Sequence, residues 1–167
     1  VGINVDRNGF VNLDELKQAV IDHQGKIALI SIMASNNEVG TVQDIAQVVK
    51  IAGQIPVHSD CVQSFGKVEL SFKNLGLTAA TISAHKVGGP LGVAALILKR
   101  GLDIEPILHG GGQERDIRSG TFNAPSIVSF AAAAKESVAQ SQQRSEIIRK
   151  LKAELISTIK KGVPDIW

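Results

Sequence analysis

One cysteine, one methionine, one tryptophan and no tyrosine stand among the 167 residues. A lone thiol excludes an internal disulfide, so nothing asks for an oxidising compartment, and the cytoplasm is the expected setting. Aromatic residues make up 4% of the chain, too few to build stacking platforms for nucleic-acid bases. The formal net charge is +2, with basic residues scattered rather than striped, which removes the electrostatic case for direct nucleic-acid binding. No apolar run is long enough to span a membrane, and the residues from Val1 show no signal-peptide pattern. Low-complexity segments and internal repeats are also missing.

What is present suits a buried α/β domain. Hydrophobic residues reach 44% and the mean hydropathy is +0.12, enough apolar surface for one domain with a real core. Asp6-Arg7-Asn8-Gly9 signals a turn. Asn12 then caps a helix with Glu15 at capping-box spacing, and Leu13, Leu16, Val20 and Ile21 form its apolar stripe. The nearly continuous run from Ile27 to Ile32 predicts a strand covered on both faces. Asp44 to Ala52 has helical period, and Val57 to Asp60, Ala80 to Ser83 and Val93 to Leu98 read as further strands. Ser126 to Gln140 and Ser145 to Lys160 read as long helices, the second basic and amphipathic. The alternation predicts an open, mostly parallel sheet flanked by helices.

The chemistry concentrates in Ser83-Ala84-His85-Lys86, followed by Gly88-Gly89-Pro90. A lysine just past a strand, beside flexible backbone, can form a Schiff base with a carbonyl cofactor, while Ser and His can bind a phosphate. By itself the pattern is weak, because most lysines are solvated surface charges. Weight comes from His58-Ser59-Asp60-Cys61-Val62-Gln63, where an acid ends another strand. A Lys for the imine and an Asp for the pyridinium nitrogen are what pyridoxal 5'-phosphate needs.

Four motifs occur in sequence: Asn36-Asn37-Glu38-Val39-Gly40-Thr41, His58 to Ser64, Ser83 to Lys86, and His109-Gly110-Gly111-Gly112-Gln113-Glu114-Arg115, the last running on to Arg118-Ser119-Gly120-Thr121. In this order and spacing they resemble the cofactor domain of the cysteine desulfurases, within the class V aminotransferase group of pyridoxal-phosphate enzymes. The selenocysteine lyases share much of the pattern. The resemblance implies an incomplete large cofactor domain of fold type I over residues 1–140. Residues 141–167 would then be a helix leading toward a C-terminal small domain. A phosphate-binding loop, a ring-stacking histidine, a sulfur-accepting cysteine and a substrate-binding arginine would lie elsewhere in a longer protein.

The resemblance also implies roles, each with a plainer reading beside it. Lys86 carries the cofactor or is a surface lysine. Asp60 pairs with the pyridine nitrogen or caps the following turn. Gln63 donates to the cofactor's phenolic oxygen or is a solvated turn residue. Ser83 and His85 hold the phosphate, or His85 is a core histidine satisfied by backbone. Asn37 lies near the ring and the substrate carboxylate, or is a loop Asn in left-handed conformation. Thr121 reaches across a homodimer interface to the partner's phosphate, or sits in an ordinary glycine-rich loop. The implied reaction takes sulfur from L-cysteine, leaving L-alanine and an enzyme persulfide. That persulfide would serve a sulfur-acceptor protein such as an iron–sulfur scaffold, or tRNA thiolation.

Two features point elsewhere. Cys61 invites a nucleophile's role, yet it adjoins Asp60, and in extended chain adjacent side chains face opposite ways. It is expected to be a small buried hydrophobe. Asn4 to Glu15 has the residue spacing of a calcium loop, with Asn in place of Asp at the first position. A calcium-binding module is thus a rival of another class, although the same residues suit an Asn-Gly turn and a capped helix.

Overall fold

The computed structural model describes residues 1–163. Along the chain come α1 (Leu13–Asp22), β1 (Ile30–Met33), α2 (Ile45–Ala52), β2 (Val57–Asp60), α3 (Phe72–Leu75), β3 (Ala79–Ser83), a 3₁₀ turn (Ala84–Lys86), β4 (Ala94–Leu98), α4 (Ala124–Ala139) and α5 (Ser141–Gly162). The strands form one sheet in the order β1-β2-β3-β4. The β1–β2 and β2–β3 pairings are parallel, and β4 returns antiparallel along β3. Mostly parallel α/β order is therefore observed.

Short polar side chains start the helices. Asn12 accepts from the backbone N–H groups of Asp14 and Glu15, Asp44 from Gln47, and Asn123 from Ser126. Glu15 does not complete a capping box with Asn12. Its carboxylate instead accepts from the Asn4 backbone N–H at 3.0 Å and from Asn4 Nδ2 at 3.1 Å, tying the preceding hairpin to α1. Within that hairpin Asp6 Oδ1 accepts from the N–H groups of Asn8 and Phe10, and Val5 bridges Val11. The calcium-loop residues Asn4, Asp6 and Glu15 are thus engaged in holding a turn and a helix end. The turn-and-cap reading describes this segment.

The two faces of the sheet differ. Ile30, Val57, Ser59, Ala80 and Ile82 point to the face that packs with Leu16, Val48, Ala52 and Phe130. Ser31, His58, Asp60, Thr81 and Ser83 lie on the other face, which is half-open among the described residues. Double coverage of the Ile27–Ile32 run is therefore corrected. The strand begins at Ile30, and Leu29 and Ser31 are exposed. Across the open face Ser31 Oγ and His58 Nδ1 are 2.8 Å apart, as are His58 Nε2 and Thr81 Oγ1. Three strands are laced by side chains as well as by backbone.

Helix α4 begins earlier than its apolar stripe suggests, since Pro125 can occupy a first helical turn without losing a bond, and α5 begins at Ser141 rather than Ser145. Helix α5 has no buried residue. Residues 164–167, the end of the expected 141–167 segment, lie outside the described residues. No described helix is long and apolar enough to cross a membrane.

Candidate functional site

Strands β2 and β3 end side by side, which sets Asp60 beside the turn carrying Lys86. Asp60 stands opposite Thr81 in the register, and Cys61 N–H donates to Thr81 C=O at 2.9 Å. Past Ser83 the chain folds back on Ala84, which is fully buried. The Ala84 carbonyl accepts from Val87 at 3.0 Å and Gly89 at 2.9 Å. A Cβ on Gly89 would stand 2.9 Å from Ala84 Cβ and 3.1 Å from its oxygen, so this close return requires glycine. With Ala84 pinned inward, His85 and Lys86 are left exposed.

The other candidate residues are distributed unequally. Ser83 Oγ lies 2.8 Å from His85 Nδ1, so the two expected phosphate ligands meet. Asp60 Oδ1 accepts from Val62 N–H at 2.9 Å, which is the capping role. That bond leaves Oδ2 for another donor. Gln63 Oε1 accepts from Lys67 Nζ at 3.0 Å. Asn37 is exposed on a turn where its Nδ2 donates to Glu38 Oε1 at 2.6 Å. That turn is joined to the Gln63 turn by the buried hydroxyls of Ser35 and Ser64. Thr121 is exposed at the end of the glycine-rich loop, and no hydrogen bond among the described residues links it to the others.

Electrostatics single out two residues of the segment after β2. Burial pushes the Cys61 thiol upward, Asp60 adds to this, and a bond with Ser59 opposes it. At 4% exposure, within the core, it is the reverse of an activated nucleophile. Lys67 is lowered, first by partial burial of its amine and then by the charge of Lys86. The residue as a whole is exposed, while its amine, bonded to Gln63, is partly desolvated. Sequence reasoning passed over Lys67; its only signal is its place four residues after Gln63.

Two clefts, of about 550 and 670 Å³, lie against the Val5–Val11 hairpin and against α1, and neither is lined by Asp60 or Lys86. Their walls hold no amine paired with a carboxylate and a phosphate-type donor pair. The strand-end cluster, shallow as it is, concentrates the chemistry.

A family model described as aminotransferase class-V matches residues 1–166. The chain belongs to that family. It is 40% identical over 161 residues to an IscS-like cysteine desulfurase of Mycobacterium tuberculosis, covering 95% of this chain and 41% of the relative. It is also 40% identical over 159 residues to the cysteine desulfurase IscS of Methanosarcina thermophila, covering 94% and 39%. The solved NifS-like protein from Rickettsia africae superimposes with a TM-score of 0.93 at 39% identity, over 98% of this chain and 46% of that one. The chain thus spans about two-fifths of the length of the curated relatives it matches. Its mixed, mostly parallel sheet with flanking helices is that of fold type I pyridoxal-phosphate enzymes.

Proposed function

We propose that this chain is the central part of a cysteine desulfurase that uses pyridoxal 5'-phosphate. The observation that carries the reading is the exposed Lys86 amine on a turn pinned by Ala84, beside Asp60 and the bonded Ser83–His85 pair. The donor set fits the cofactor group by group. A primary amine suits its carbonyl, a half-buried carboxylate with one committed oxygen suits its ring nitrogen, and a hydroxyl with an imidazole suits its phosphate. The tight return at Gly89 brings backbone close to the same turn.

When bound, the cofactor supplies an electron sink for bond cleavage at an amino acid's α-carbon. Lys86 Nζ would hold the carbonyl carbon and, when freed, take the proton from the substrate's Cα. Asp60 Oδ2 would keep the ring nitrogen protonated. Ser83 Oγ and His85 would hold phosphate oxygens, Gln63 the phenolic oxygen, and Asn37 would adjoin the ring and the substrate carboxylate. Thr121 would act across a homodimer on the partner's phosphate site. Residues 1–140 would form the large domain's portion, and 141–167 the connection toward a small domain.

L-Cysteine is the substrate this reading supplies, since the similar relatives are named cysteine desulfurases. L-Alanine would be one product and a persulfide the other, formed on a cysteine other than the buried Cys61. A sulfur-acceptor protein, such as an iron–sulfur scaffold or a component of tRNA thiolation, would take the sulfur. The working compartment would be the reducing cytoplasm. The test is to incubate the full-length protein with pyridoxal 5'-phosphate, L-cysteine and a thiol reductant, and quantify alanine and sulfide. Equal amounts of both are expected. No alanine from a cofactor-loaded protein sinks the proposal, and alanine from selenocysteine alone would make it a selenocysteine lyase.

A further inference from the structure

The turn over residues 61–68 carries Gln63 toward the strand-end cluster and is unusually well held at its far end. Cys61 C=O accepts from Ser64 N–H at 3.0 Å and Phe65 N–H at 2.8 Å, and Ser64 C=O accepts from Lys67 and Val68 at 3.0 Å. Gly66 packs so closely under α4 that a Cβ there would stand 2.1 Å from Ser137 Oγ. The same Cβ would lie 3.5 Å from Val87 Cγ1, the residue after Lys86. Lys67 C=O accepts from Ser145 Oγ at 3.3 Å. The Cα of Lys67 is therefore fixed against both the Lys86 turn and the α4–α5 junction.

From this base Lys67 Nζ reaches Gln63 Oε1 at 3.0 Å. An ammonium has three donors and no acceptor, so the amide atom facing it has to be the oxygen. That contact decides which way the Gln63 carboxamide is turned. Its oxygen is directed to Lys67, and its two N–H donors are directed away. An exposed lysine–glutamine bond adds little to stability. Its effect is orientation, because a carboxamide free to turn over would offer donor and acceptor alternately to whatever lies beside it.

We propose that Lys67 is a positioning residue of this site: its ammonium holds Gln63 by the oxygen and presents Nε2 as a donor to an anionic oxygen of a ligand seated beside Lys86. The inference rests on the cofactor reading above, in which that oxygen is the phenolic oxygen of pyridoxal 5'-phosphate. It adds a residue to the site, and its mode of action is through Gln63 rather than by contact with the ligand. The partial desolvation of the amine strengthens its bond to the amide oxygen.

Pyridoxal 5'-phosphate is the probe, and the readout is the pH midpoint of its visible absorbance change in the full-length protein. A donor to the anionic oxygen stabilises the deprotonated form, so losing it makes the proton harder to remove and raises the midpoint. Lys67→Met, which keeps the stem and loses the donor, should raise the midpoint by about half a pH unit, roughly threefold in proton affinity. Lys67→Arg should restore most of the wild-type value. Gln63→Ala should also raise it, and adding Lys67→Met to Gln63→Ala should move it no further. A midpoint unmoved by Lys67→Met overturns the proposal. A shift of equal size in the Gln63→Ala background also overturns it, because the lysine would then act by charge alone. A wild-type protein with no visible band would overturn the cofactor reading itself, and a band present with Lys67→Met silent would overturn only the present inference.

Discussion

The turn that carries Lys86 and the loop that carries Thr121 are both rich in glycine, yet one is tied to the sheet and the other to itself. Gly89 lets the backbone return onto buried Ala84, and the neighbouring turn is clamped by Gly66 against Ser137. In the loop from His109 to Thr121 the bonds are internal: Gly112 N–H to Ser119 Oγ, Gly120 N–H to Gln113 Oε1, and Ser119 N–H to Leu108 C=O. Glu114, Arg115 and Asp116 take positive φ values of 50, 59 and 63° in succession, an unfavourable run for residues with side chains. Glycine permits close approach in both places; only in the first is there a wall to approach. The anchored turn should govern chemistry and folding together, and the self-bonded loop should tolerate change except at Thr121, if the proposed dimer forms there.

Lys86→Ala offers the largest test of that division. In the full-length protein it should abolish both the visible absorbance of bound pyridoxal 5'-phosphate and alanine formation, while the thermal midpoints of the cofactor-free variant and cofactor-free wild type stay nearly equal because the side chain is exposed. A surviving band would remove Lys86 from its role. Asp60→Asn comes next, since Asn can still accept from Val62 N–H while losing the charge. Turnover should fall on the order of 10²-fold with little change in unfolding; unchanged turnover would leave Asp60 as a turn cap only.

Gly66→Ala tests the clamp by stability alone. Its Cβ would strike Ser137 Oγ at a φ of +68°, so unfolding should be easier by about 2–3 kcal/mol, with part recovered by Ser137→Gly. Denaturant titration measures both variants, and a cost below the usual surface range would mean the clamp is loose. Thr121→Ala should leave unfolding within about 0.5 kcal/mol and weaken cofactor retention a few-fold. In the proposed homodimer, mixing it with Lys86→Ala subunits should give more activity than the Thr121→Ala subunits contribute by themselves, because one site of the heterodimer carries neither lesion. No recovery would place Thr121 outside the partner's site. The smallest effect is expected from Asp116→Gly, which removes a side chain from a positive φ and should stabilise by about 0.5 kcal/mol. Destabilisation there would show that the Asp116 side chain holds the loop.

Much of the fold could be read from local signals. Asn12 and Asp44 announce their helices because a cap is a contact over two or three residues. The alternation of elements predicts the parallel order, and the Asp60 and Lys86 strand ends emerge next to each other as the motifs imply. What escaped depends on residues far apart or on very short elements. The four-residue α3 and the 3₁₀ turn at Ala84 are too brief to show a period. Nothing in Ile27–Leu29 says that its apolar residues precede the strand rather than form it. Glu15 bonds Asn4 instead of closing the capping box, because the hairpin brings a backbone donor within reach. Gly66 and Ser137 are 71 positions apart, so their fit is invisible locally. Lys67 was missed for a different reason: its spacing from Gln63 suggests a helical pair, and the segment is a run of turns.

The Ser31–His58–Thr81 lacing makes the parallel strands self-checking. Backbone ladders of β1, β2 and β3 would be nearly as well formed after a slip of one residue. Such a slip would turn His58 off the half-open face and thrust its imidazole among Ile30, Val57 and Ile82, away from both hydroxyl partners. The same error would turn Asp60 into the core. A mispaired sheet is thereby penalised at the histidine before any cofactor arrives, and the acid at the strand end inherits its address from a residue two positions earlier.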